Sequence, residues 1–124
     1  MDIRKSTEDY YKMLTTDVEA ATRKFYSDDV KYKLNWDRSK KGFDVELEGL
    51  ETLLSVLNEF KKGLKSQKHQ KVLDVTVDED KNSSRVEISE RYSHEQWGDV
   101  DHKVLVTLYW RDGKVVEEQF EAGH

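Results

Sequence analysis

A carboxylate, a phenol and an imidazole stand at every second position in the run Glu90-Arg91-Tyr92-Ser93-His94. Alternate residues of an extended strand point to one side, so these three form a row able to take up, hold and pass on protons. A second histidine, His102, lies on the next extended run, and Glu117 and Gln119 lie on the last. The turns set the expected register. A two-residue hairpin turn at Asp112-Gly113 pairs Arg111 with Lys114, Trp110 with Val115, Leu108 with Glu117 and Val106 with Gln119. A turn around Trp97–Asp99 pairs His94 with His102, Tyr92 with Val104 and Glu90 with Val106. All of these residues then share the face that carries Val86 and Ile88. The predicted inner polar set is Glu90, Tyr92, His94, His102, Glu117 and Gln119, and a one-residue slip would empty it.

Glu90 is the strongest candidate for catalysis. Among Val86, Ile88, Val106 and Leu73 its charged form would lose hydration, which raises a carboxyl pKa toward the range useful to a general acid or base. The plainer alternative leaves Glu90 solvated at an open end of the sheet or paired with Lys71. His94 and His102 would sit across from each other and could shuttle a proton. Two histidines with no third ligand make no zinc site, so no metal and no cofactor is expected, and rim positions are the simpler reading.

These groups need a scaffold, and 124 residues are enough for one domain spanning 1–124. Charged residues (38%) outnumber hydrophobic ones (35%), but six Tyr, four Phe and three Trp in periodic runs argue for a folded chain with a charged surface. The net charge is −5 with the signs interspersed, so nucleic acid is not an expected partner. Cysteine is absent, which removes disulfides and thiolate ligands. No apolar run is long enough to cross a membrane and no leader is visible, so a cytoplasmic protein is expected. The terminal Gly123-His124 is given no role.

With no proline in the chain, Gly, Asn, Asp and Ser mark the element boundaries. A first helix is predicted from Ser6, with Asp9 completing an approximate capping box, and a second from Thr16, boxed by Glu19. In the run after Asp28-Asp29, Val30, Tyr32, Leu34 and Trp36 face one way. Phe43, Val45 and Leu47 do so in its hairpin partner. Gly49 opens the third helix, where Leu50, Leu53, Leu54, Leu57, Phe60 and Leu64 form one apolar stripe. Four strands follow, at Lys71–Val77 (Leu73, Val75 and Val77 inward), Arg85–His94, His102–Arg111 and Lys114–Glu121. The order ααββαββββ segregates helices from strands and predicts an α+β fold. Phe25, Trp36, Leu53, Leu57, Ile88 and Leu108 are the predicted core. On the opposite face of the last strands, Leu105, Thr107, Tyr109, Val116 and Phe120 form an apolar patch, most simply covered by a second copy of the chain.

That order, together with Asp17-Val18-Glu19-Ala20 leading to Phe25-Tyr26-Ser27-Asp28-Asp29-Val30, Gly49-Leu50, and Asp112-Gly113-Lys114-Val115-Val116-Glu117-Glu118, resembles the nuclear transport factor 2-like superfamily. Within it the likeness is to SnoaL-like polyketide cyclase and ketosteroid isomerase-type domains, over nearly the whole chain. The resemblance implies a cone, a curved mixed or antiparallel sheet wrapped over three helices, with an apolar pocket between them and often a dimer through the sheet. It implies a small apolar or amphipathic ligand in that pocket, and Tyr32, Trp36, Tyr92, His94, His102, Glu117 and Gln119 are the expected ligand-binding residues. Tyr10 falls where the isomerases place an oxyanion-stabilising tyrosine, although an aromatic on a helix's apolar face is also simply core. The isomerase base falls near Leu34, which cannot take a proton, with Asp37 close by. The second isomerase acid falls at Leu105 or Val106. The epoxide-hydrolase Arg/Asp/Asp set is not recognisable, and the C-terminal cyclase aspartate has no match beyond Phe120-Glu121-Ala122. The expected function is therefore small-molecule binding, with Glu90, Tyr10 and Asp37 as candidate catalytic residues of a cofactor-independent isomerase, lyase or cyclase. The alternative is a non-catalytic dimerisation or protein-binding module.

Overall fold

In the computed structural model, which describes residues 2–37 and 39–123, three helices and six strands follow the expected order. Helix α1 (Ile3–Leu14) starts earlier than Ser6, because the Asp2 side chain accepts from the Lys5 amide and caps the first turn. Helix α2 (Val18–Phe25) is capped by Asp17, which accepts from the Ala20 amide. Both boundaries differ from the predicted boxes because an aspartate nearby was the better acceptor. Helix α3 (Leu50–Gly63) opens at Gly49, whose φ of 100° is a left-handed backbone that a side chain would strain.

The strands β1 (Tyr26–Asn35), β2 (Val45–Glu48), β3 (Leu64–Asp78), β4 (Ser83–His94), β5 (Gly98–Arg111) and β6 (Lys114–Gly123) form one mixed sheet of order β2-β1-β6-β5-β4-β3. Only β1 and β6 run parallel among these neighbours. Register breaks in β3 between Leu64 and Ser66, Gln67 and His69, and Val72 and Asp74 bend it, since each extra residue kinks one strand against its partner. The bends leave Leu73, predicted inward, 43% exposed.

The concave face packs on the helices through Val86, Ile88, Val104, Val106, Leu108, Trp110 and Val115, against Leu50, Leu53 and Leu54 of α3. Leu53, Ile88 and Leu108 are buried as expected, whereas Phe25 and Leu57 are half-buried at the core's edge. Trp36 is a correction: β1 ends one residue before it, and its ring is 42% exposed. No described helix is long and apolar enough to cross a membrane.

Candidate functional site

Two details of register decide which polar groups reach the concave face. The β4–β5 hairpin turns at Glu95–Trp97, earlier than expected, so His94 faces Gly98, Tyr92 faces Val100 and Glu90 faces His102. His94 and His102 are therefore not cross-strand partners. The slide from His102 to Gly98 is four residues, an even number, so every side chain keeps its face. In the β5–β6 hairpin Arg111 faces Lys114 and Trp110 faces Val115, as the turn predicts, but Tyr109 then faces Glu117. Val116 is the extra residue of a bulge, and beyond it each side chain of β6 changes sides. Glu117 and Gln119 move to the convex face, where Gln119 donates to Glu117 at 2.7 Å and Lys33 lies 3.8 Å from Glu117. They are not part of the inner set. Glu118, Phe120 and Ala122 take their place, opposite Leu108, Val106 and Val104.

Glu118 was missed from the sequence, and it is an acid whose pKa burial raises strongly. Only 9% of it is exposed, and burial pushes its pKa up to about 7, against the lowering effect of the hydrogen bond it accepts from the Tyr26 hydroxyl. Tyr26 is in place because α2 stops at Phe25 and β1 begins at once. Tyr32 is the β1 neighbour of Glu118 in the parallel ladder. Tyr10 and Tyr11 come down from α1, their rings 5.0 Å apart, and Tyr10 lies 5.2 Å from Tyr26. Burial, then the Glu118 charge, holds all four phenols above the ordinary tyrosine value. Tyr10 and Tyr26 are buried, whereas Tyr11 and Tyr32 are half-buried. The expected Tyr10 thus sits beside a carboxyl, though not the expected one.

Glu90 stands on the concave face as predicted, but its partner is His102, whose Nε2 lies 2.9 Å from Glu90 Oε1. Both side chains are nearly buried, at 13% and 11% exposure. Lys71, the alternative partner, faces Ser89. Burial and then the Glu90 charge push Tyr92 up to about 12. Tyr11 and Tyr32 feel the charges of both Glu118 and Glu90.

The remaining candidates hold the rim together. His94 Nδ1 accepts from the Gln96 amide at 3.1 Å, which puts the ring proton on Nε2, donated to the Phe60 carbonyl at 3.1 Å. The ring stacks on Trp97 at 4.2 Å, and Trp97 lies 5.5 Å from Trp36. Gly63 makes room for it, since a Cβ there would come within 2.4 Å of His94 Cε1. Asp37 lies in the β1–β2 loop, accepting from the Ser39 amide and hydroxyl at 3.0 and 2.7 Å. Among the described residues no group of three or more His, Cys, Asp or Glu could hold a metal. Two open depressions of about 780 and 610 Å³ flank the N-terminus of α1, and neither is lined by Glu90 or Glu118.

Neither a family model nor a curated protein matches the sequence. Solved structures do match. A candidate SnoaL-like polyketide cyclase from Mesorhizobium loti shares 18% identity at a TM-score of 0.78, with 97% of this chain and 98% of that one covered. A protein of unknown function with a cystatin-like fold from Xanthomonas campestris gives a TM-score of 0.81 at 14% identity, covering 98% and 91%. A hypothetical protein with a ketosteroid isomerase-like fold from Catenulispora acidiphila, in complex with trimethylamine, gives 0.62 at 12%, covering 82% and 72%. Likenesses at these identities show the fold, the cone expected of the nuclear transport factor 2-like superfamily.

Proposed function

We propose that this protein binds a small molecule on the concave face of its sheet and exchanges a proton with it through Glu118, without a cofactor, as an isomerase, lyase or cyclase would. The observation that carries this reading is a buried carboxyl held near pH 7 and ringed by four tyrosines. A general acid or base works best when its pKa lies near the working pH. Tyr26 orients the carboxyl, and Tyr11 and Tyr32 offer hydroxyls to a ligand. In this proposal the Glu90–His102 pair is a second proton-handling group further along the face. The trimethylamine bound by the Catenulispora neighbour supports small-molecule binding in this fold. A cytoplasmic location is carried as part of the proposal.

The test is solvent-deuterium uptake into a panel of enolisable ketones, followed by mass spectrometry. Exchange above the buffer rate that Glu118→Gln abolishes is the expected result. Rates equal to that variant's for every compound would remove proton transfer from the reading.

One observation favours a second, non-catalytic reading: the two open depressions beside α1 are not lined by Glu118. In that reading the inner cluster is structural and the protein works through its convex face. A homodimer through that face is proposed on Leu105, Thr107, Tyr109 and Val116. The patch is smaller than expected, because the bulge turns Phe120 inward to face Val106 and brings Glu117, Gln119 and Glu121 out.

A further inference from the structure

Building on the proposed inner-face site, we infer that its ligand is a protonated amine, held by an N–H that it donates to Glu118 and enclosed by Tyr10, Tyr11, Tyr26 and Tyr32. The first ground is the placement of charge. Every Lys and Arg side chain described is exposed except that of Lys33. Lys33 lies on the convex face of β1, 3.9 Å from Glu46 and 3.8 Å from Glu117. The concave face thus carries Glu118 and Glu90, and the imidazole of His102 is engaged with Glu90. Among the described residues, an anionic ligand would meet two carboxyls and no matching lysine or arginine, at a depth where water screens little.

The second ground is the direction of the hydrogen bonding. A tyrosine hydroxyl has one hydrogen, and Tyr26 donates it to Glu118 Oε1. Tyr26 is the one hydrogen-bond donor to Glu118 among the described residues. With Oε1 already accepting from Tyr26, Oε2 is the oxygen that a ligand N–H would reach. An ammonium N–H supplies both the hydrogen bond and the counter-charge. The phenol oxygens nearby offer further acceptors, and the ring faces favour a cation.

This assignment predicts the sign of a pH effect. The groups around Glu118 are Tyr10 and Tyr11 from α1, Tyr26 and Tyr32 from β1 and, further off, Glu90 from β4. The four tyrosines stay neutral up to pH 8.5 or so, since each is raised above its ordinary value. An ammonium ion favours the ionised form of Glu118, so its binding expels a proton at neutral pH and tightens as pH rises through about 7. A phenol or other ligand that prefers the protonated acid would show the reverse trend.

Calorimetric titration with benzylammonium chloride and with benzyl alcohol, a neutral molecule of nearly the same shape, tests this at pH 5.5 and pH 8. Benzylammonium should bind at least tenfold more tightly than the alcohol at pH 8, with a smaller advantage at pH 5.5. Buffers of different ionisation heat should report a proton released. Glu118→Gln should bind both compounds alike. If the alcohol binds the wild type as well as the amine at both pH values, the amine is refuted while the inner-face site stands. If neither binds, both readings fall. An amine preference that survives in Glu118→Gln would place the cation elsewhere and overturn the assignment. The wild-type comparison alone decides should that variant fail to fold.

Discussion

Replacing Glu118 with glutamine should change stability in a way that depends on pH with a fixed sign. In the unfolded chain the carboxyl titrates near its ordinary value of 4.5, and in the folded protein burial holds it near 7. A folded pKa above the unfolded one means that the folded state binds the extra proton. The associated stability is fully present below pH 4.5, falls between pH 4.5 and 7, and is gone above the folded value. The displacement corresponds to roughly 3 kcal/mol at about 1.4 kcal/mol per tenfold in acidity. Glutamine keeps the shape and a hydrogen-bond acceptor for Tyr26 but carries no charge. Whatever offset the substitution introduces at pH 4, the variant should gain on the wild type by up to about 3 kcal/mol between pH 4 and pH 8. Urea unfolding of both proteins across that range measures the difference, and groups common to both cancel in it. A difference that stays flat within about 0.5 kcal/mol would refute the claim that Glu118 is desolvated, and with it the basis for placing proton transfer there.

Leu53→Ala should cost about 2–5 kcal/mol, since Leu53 is 1% exposed in the core, and Leu57→Ala should cost clearly less because that side chain is half-buried; equal denaturant midpoints would contradict this. Gly63→Ala should destabilise by about 1–3 kcal/mol by driving a methyl into the His94 ring, and most of that cost should vanish in a His94→Ala background. Asp17→Ala should cost about 1 kcal/mol through the lost cap of α2, read from thermal unfolding. Sedimentation at micromolar concentration should show a dimer that Tyr109→Glu dissociates, and a wild-type monomer would end the proposal of a convex-face interface.

Element order was legible because period and punctuation agree along the chain, as where the leucines of α3 follow Gly49. Facing was legible only where strands pair without interruption. On β4 the hairpin turn was misplaced by an even number of residues, and Glu90, Tyr92 and His94 kept their side. On β6 a single bulged residue moved Glu117 and Gln119 out and Glu118 in. A bulge has no required residue type, so the Asp112-Gly113 turn alone could not reveal it. There was a signal, however. Val115 and Phe120 are an odd number of residues apart and both apolar, and they can share the core only if the strand carries one extra residue between them. Tyr26 and Tyr11 escaped notice because aromatics near helix ends read as packing, and only the carboxyl beside them gives their hydroxyls a chemical role.

The parallel pairing of β1 with β6 orders events in time during folding. The two hairpins β3–β4 and β4–β5 join segments close in sequence and can form early, as local contacts do. The first strand cannot find its parallel neighbour until the last one exists, so Tyr26 and Tyr32 wait for Glu118 across most of the polypeptide. On a ribosome β1 can pair with β2 and pack on α3 early, but its β6 edge stays open until residues past 115 are released. The acidic cluster of the inner face is thus assembled in the closing step, by the contact of highest sequence separation in the sheet.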